Sequence, residues 1–119
     1  MAGENNPVLV SVTITPTEIS VDKPSIKADQ GHTPIVWHVS ADSTPGARIT
    51  SVVFERDWPN PQPQPVGNEW KVSDNNTNPG PGTVSYKYDV GGTTPLGNPP
   101  VLDPTVDNQP PPGGGGTGP

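Results

Sequence analysis

The chain contains no cysteine among its 119 residues. It can therefore form no disulfide, no thiolate nucleophile and no zinc–sulfur site. Cysteine usage also gives no information on whether the protein works in an oxidising or a reducing compartment. Long apolar runs are also missing, since no stretch approaches the ~18 residues of a membrane-spanning helix. The segment 1–6 lacks the basic start and apolar stretch of a signal peptide. We expect no signal peptide and no transmembrane segment, and the localisation stays open.

Basic residues are scarce. Lysine and arginine number 6 against 12 aspartates and glutamates, which gives a formal net charge of −6. An acidic chain repels nucleic-acid phosphates and anionic membrane surfaces. Nucleic acid is therefore excluded as an expected partner, and so is a membrane surface.

Valine is the abundant apolar residue. It supplies 14 of the 23 residues that are isoleucine, leucine, valine or phenylalanine. Segments 1–6 and 107–119 contain none of these four types, whereas 7–106 can support a small core. We predict a loose N-terminus over 1–6, one domain over 7–106 and a disordered tail rich in proline and glycine over 107–119.

Period-two alternation of apolar and polar residues is the main structural signal. The run 34–41 is typical of a central strand, with Trp37 as its largest apolar side chain. The predicted strands lie at about 8–15, 19–21, 26–28, 34–41, 49–55, 68–73, 83–90 and 101–106. Proline- and glycine-rich turns separate them, and no stretch shows helical spacing with caps. The pattern predicts an all-β fold, an antiparallel two-sheet sandwich of seven to eight short strands with a flexible C-terminal tail.

Three segments carry a resemblance to known families: the Trp37 strand, the run Pro-Gly-Thr-Val-Ser-Tyr-Lys-Tyr-Asp-Val at 81–90, and Leu-Asp-Pro-Thr-Val at 102–106. Together they resemble the immunoglobulin-like and cupredoxin-like sandwiches of small bacterial proteins. The resemblance implies an Ig-like fold in which Trp37 packs between the sheets against Tyr86 or Tyr88. It carries no activity. Copper-binding cupredoxins use a cysteine, two histidines and commonly a methionine, so a blue-copper centre is excluded here.

The sequence contains two candidate metal sites. His32 and His38 could bind a metal with Asp29, but His38 is expected on the outer face of its strand and His32 in solvent. The run 74–80 alternates oxygen ligands as a calcium loop does, but Pro79 replaces the turn glycine and Ser85 the final glutamate. We expect a polar hairpin loop at 74–82, no metal and no cofactor.

Proline occupies every second position from Pro59 to Pro65. This segment is either a polyproline ligand for a partner domain or a rigid crossover with Trp58 packed beneath it, and the second interpretation is favoured. Exposed tryptophans could also stack on a ligand. The predicted binding surface comprises Trp58, Trp70, Pro61 and Pro63.

No residue pattern supports catalysis, because no nucleophile–base pair and no glycine-rich phosphate loop is recognisable. The sequence predicts a non-catalytic interaction or structural module. It would bind a protein partner or self-assemble through an exposed sheet edge or its proline-rich loops. The alternative is a carbohydrate-binding module that uses Trp58 and Trp70.

Overall fold

The computed structural model describes residues 5–111, and these form nine β-strands and no helix. The strands are β1 (Val8–Ile14), β2 (Ile19–Val21), β3 (Ser25–Ala28), β4 (Gly31–Val39), β5 (Arg48–Phe54), β6 (Gln64–Val66), β7 (Glu69–Asn76), β8 (Val84–Thr93) and β9 (Thr105–Asn108). No helix in this range is long and apolar enough to cross a membrane. Most of the predicted tail, residues 112–119, lies outside the described range, as do residues 1–4 of the predicted loose N-terminus.

Two sheets form the domain. One has the strand order β2-β1-β4-β7-β6 and the other β3-β9-β8-β5. The predicted all-β, two-sheet architecture is confirmed. Five of the seven strand pairs are antiparallel as predicted, whereas β1 runs parallel to β4 and β3 parallel to β9. Both parallel pairs join strands that are distant in sequence.

The core lies between the sheets and follows the period-two pattern. In β1, Val10, Val12 and Ile14 are buried and the residues between them are more exposed. Trp37 of β4 is fully buried, and its Nε1 donates a hydrogen bond to Tyr88 Oη at 3.2 Å. The two rings meet edge to face, with centroids 5.3 Å apart. The predicted packing of Trp37 between the sheets is confirmed, and its partner is Tyr88.

A β-bulge in β5 changes which side chains face the core. The register shifts between Ile49 and Ser51, so Ile49 is buried on the same side as Val52. Strict alternation from Val52 would place Ile49 on the opposite face. Val53 is half exposed, so the outer face of β5 is partly covered there. An inserted bulge residue reverses the alternation, and the sequence gives no sign of it.

Three strands extend beyond their predicted ends. β8 continues to Thr93 because its glycines allow the sheets to approach: a Cβ on Gly92 would lie 2.8 Å from Ile14 Cδ1. β9 continues to Asn108, two residues into the segment predicted as tail. β7 continues to Asn76, so the predicted polar loop over 74–82 is wrong for its first three residues.

β6 was not predicted as a strand because it contains Pro65. It lies at the edge of its sheet and pairs only with β7. An edge position tolerates a proline, since a missing ladder donor there faces no second neighbour.

Candidate functional site

Trp58, one of the four predicted binding residues, lies inside the domain. It is 6% exposed. Its ring stacks on Phe54 with centroids 3.8 Å apart and planes 16° from parallel, and it meets Tyr86 edge to face at 5.3 Å. Its Nε1 donates to the carbonyl of Pro61 at 3.2 Å. In this arrangement the ring stabilises the segment above it and has no free face for a ligand.

That segment is the proline-rich crossover, residues 55–63, which joins β5 to β6. Gln62 accepts a hydrogen bond from Phe54 N at 2.7 Å and donates one to Phe54 O at 3.2 Å. The side-chain amide thus takes the place of a neighbouring strand at the outer edge of β5. Pro63 is buried and Pro61 is exposed. The crossover covers the edge of β5, and Trp58 is packed beneath it, as the favoured interpretation of the sequence expected.

Trp70, the remaining predicted residue, lines a groove of about 680 Å³. The groove lies between the end of β4, the start of β5 and the β6–β7 turn. The residues that line it include His38, Arg48, Pro65, Glu69 and Trp70. We call this the Trp70 groove. It brings together one predicted site residue with several that sequence reasoning did not select.

The position of Trp70 is fixed by both sheets. It lies in β7, is half-buried against the core, and its Nε1 donates to the carbonyl of Ile49 in β5 at 3.3 Å. The bond spans the gap between the sheets and uses a backbone acceptor on the outer side of β5. The ring therefore forms a rigid wall of the groove.

Arg48 and Glu69 supply charge to the Trp70 groove. Glu69 lies 3.8 Å from Lys71 Nζ, a distance typical of a weak surface pair. Within residues 5–111 the other ion pair joins Asp22 and Lys23, so Arg48 has no acidic partner there. An exposed, unpaired guanidinium offers a planar set of donors to a ligand.

His38 lies at the rim of the groove, on the outer face of its sheet as predicted. Its Nε2 lies 3.0 Å from Ser11 Oγ. The strand register places Ser11, His38 and Glu69 in one row across β1, β4 and β7. Among the described residues, no carboxylate hydrogen-bonds to the other ring nitrogen, and no three His, Cys, Asp or Glu side chains cluster as metal ligands. The contact with Ser11 orients the imidazole beside the groove.

Sequence reasoning missed this row because it depends on the parallel pairing of β1 with β4. Ser11 and His38 are 27 positions apart in the chain. No local pattern indicates that they meet. The sequence indicated only that a serine and a histidine lie on the predicted outer faces of two strands.

The end of the sandwich opposite the Trp70 groove contains a buried polar cluster. Asp74 and Asn76 of β7 were predicted in a loop but point into the domain, with 0% and 2% exposure. Asp74 Oδ1 accepts hydrogen bonds from Asn60 Nδ2 at 3.3 Å and Asn108 Nδ2 at 3.2 Å. Asn76 Nδ2 donates to the carbonyls of Ala28 and Gln109, both at 2.9 Å. These partners hold, inside the domain, the side chains whose oxygens a calcium loop would direct at the ion.

Burial raises the pKa of Asp74 to about 6, and the hydrogen bonds from Asn108 and Asn60 offset only part of that rise. No oppositely charged group contributes to the shift. Burial therefore favours the neutral form of this carboxyl more than exposure to solvent does.

The described residues form an all-β sandwich that carries an open, partly charged groove. No known protein family matches the sequence, and no curated protein is significantly similar to it.

Proposed function

We propose that this domain is a non-catalytic interaction module, of the immunoglobulin-like or cupredoxin-like kind, that binds a protein partner in the Trp70 groove. The observation that supports this most directly is that one groove is lined by Trp70 and by Arg48, which forms no ion pair among residues 5–111. Tryptophan and arginine are the side chains that most often dominate the binding energy of protein interfaces.

The groove is also largely pre-organised. Trp70 is held by its bond to Ile49 O and His38 by its contact with Ser11. A partner would therefore lose little free energy in ordering these side chains. Pro65, the register partner of Trp70, lines the same groove and adds apolar surface beside the indole. Apolar contacts framed by charged groups are the usual composition of a transient interface.

The test is a charge reversal with a matched control. Arg48→Glu places a carboxylate in the groove, while Arg56→Glu makes the same charge change in the exposed crossover. Proteins retained from the native source by the immobilised wild-type domain are identified, purified and titrated against all three forms. We expect Arg48→Glu to weaken binding of one such partner at least tenfold and Arg56→Glu to leave it within twofold.

A partner whose affinity is unchanged by Arg48→Glu would show that the groove is not its binding surface. Failure to retain any protein whose affinity depends on Arg48 would also contradict the proposal.

A carbohydrate-binding module is the second candidate, and Trp70 alone supports it now that Trp58 is buried. The half-buried Trp70 indole lines the groove and offers a stacking surface for a sugar ring. A glycan array separates the two candidates. Glycan binding that is lost in Trp70→Ala, in a variant shown to be folded by its near-ultraviolet circular dichroism, favours carbohydrate. An array without such binding removes that candidate.

A further inference from the structure

Asp74 and Asn108 share a feature that their 3.2 Å hydrogen bond does not explain. Each is almost fully buried, and each keeps one oxygen without a hydrogen-bond partner in the described part of the chain: Asp74 Oδ2 and Asn108 Oδ1. A buried oxygen without a partner costs about 1–3 kcal/mol. Native structures rarely keep two such atoms on neighbouring side chains.

One proton shared between these two oxygens would satisfy both. We propose that, in mild acid, Asp74 of the folded domain is a neutral carboxylic acid whose Oδ2–H donates to Asn108 Oδ1. The Asn108 amide already donates to Asp74 Oδ1. The two side chains then form a closed acid–amide ring in which each group donates once and accepts once. The proton is taken from solvent on folding and returns to solvent on ionisation.

The surroundings of Asp74 favour the neutral acid. β4 contributes Thr33, its neighbour in the register, and the crossover contributes Asn60. On β8, Tyr86 interacts with Asp74. Burial raises the pKa of Tyr86, and the negative charges of Asp74, Asp57 and Glu55 raise it further. No positively charged group in the described part of the chain lowers the pKa of Asp74.

Ionisation would open the acid–amide ring. A carboxylate at Asp74 would leave its Oδ2 without a donor, next to the equally unpartnered Asn108 Oδ1. Asp74 joins three elements, because it lies in β7 and accepts bonds from the crossover and from β9. The contact among these elements is therefore tightest in mild acid and loosens as the pH rises through the pKa of Asp74.

The direct test follows the Asp74 side-chain carboxyl carbon of the intact domain by NMR as a function of pH. We expect a midpoint about two pH units above the ordinary aspartate value of 3.8. A midpoint at or below 3.8 would overturn the proposal, because Asp74 would then lose its proton at least as readily as an ordinary aspartate and the ring would not form in mild acid.

A variant tests the ring itself. Asp74→Asn supplies a permanent donor to Asn108 Oδ1, so its urea midpoint should lose the decrease that the wild type shows between pH 4 and pH 7. Asp42→Asn removes an exposed carboxyl and should keep that decrease. An Asp74→Asn domain with the wild-type pH dependence contradicts the ring. Should the variant not fold, the carboxyl titration of the wild type decides alone.

Discussion

Trp37 is the residue on which the core depends most. It is the largest fully buried side chain, it contacts Phe54 and Tyr88 edge to face, and its indole N–H is bonded to the Tyr88 hydroxyl. Burial without this bond would leave two polar groups unpaired in the interior. The burial of Tyr88 also raises the pKa of its phenol to about 12, so the hydroxyl stays neutral and able to accept.

Trp37→Phe should lower the free energy of unfolding by about 3 kcal/mol, because it leaves a cavity and an unpaired Tyr88 hydroxyl. Tyr88→Phe should lower the free energy of unfolding by about 1–2 kcal/mol, since it leaves only the Trp37 indole N–H without a hydrogen-bond partner. Urea unfolding of both single variants and the double variant measures the coupling between them. Costs that add without coupling would show that the 3.2 Å bond contributes nothing to stability.

The raised pKa of Asp74 predicts how the free energy of unfolding changes with pH. Its pKa in the folded chain, about 6, lies above its ordinary value of 3.8. Its contribution is therefore complete below pH 3.8 and is lost as the pH rises through about 6. A shift of this size corresponds to about 3 kcal/mol. We compare the free energy of unfolding of Asp74→Asn with that of the wild type at each pH. The variant's value minus the wild-type value should be larger at pH 7 than at pH 4 by roughly this amount.

Asp22 acts in the opposite direction. Although partial burial opposes the change, hydrogen bonds from Lys23 and Ser11 lower its pKa. Its contribution is present above its ordinary value of 3.8 and is lost as the pH falls through its lowered pKa. Comparison with Asp74→Asn at each pH removes this contribution, because Asp22 is present in both proteins. A difference between the two that is independent of pH would contradict the assignment of a neutral Asp74.

Among the elements, the proline-rich crossover has the clearest structural role. It places Trp58 against Phe54 and sets the Gln62 amide on the backbone of Phe54. An uncovered edge strand is a template for pairing with other chains. The alternating prolines keep the segment extended, and a side chain rather than its backbone completes the edge.

Gln62→Ala should therefore uncover β5. We expect a loss of about 1–2 kcal/mol in the free energy of unfolding, together with faster hydrogen exchange at the Phe54 amide. Gln64→Ala is the matched control, since the Gln64 side chain donates only to the carbonyl of Gln62. Unchanged exchange at Phe54 in Gln62→Ala would show that the edge of β5 is covered by other groups.

For the whole molecule, the alternation of valines with polar residues was enough to predict the two sheets. It could not predict the parallel pairing of β1 with β4, because parallel pairing joins distant segments and leaves no turn signal between them. The Ser11–His38 contact depends on that pairing. Of the two predicted binding tryptophans, Trp70 lines the groove, whereas Trp58 is packed beneath the crossover, as the favoured interpretation of that segment expected.

Polar residues inside the sandwich were the other limit of prediction. Asp74 and Asn76 continue the alternation of β7 inward, yet their chemistry indicated a loop. Only their partners on β9 and the crossover make them acceptable in the core. A sequence pattern gives the face of a residue more readily than the distant groups that satisfy it.

Binding of a partner in the Trp70 groove is the central functional proposal for this domain. Amide hydrogen exchange of the domain, measured with and without a retained partner, tests this directly. We predict that the partner slows exchange in residues 46–49 and 66–70, on the two sides of the groove. Slowed exchange confined to the β3 edge at residues 25–28, with the groove unchanged, would contradict the account.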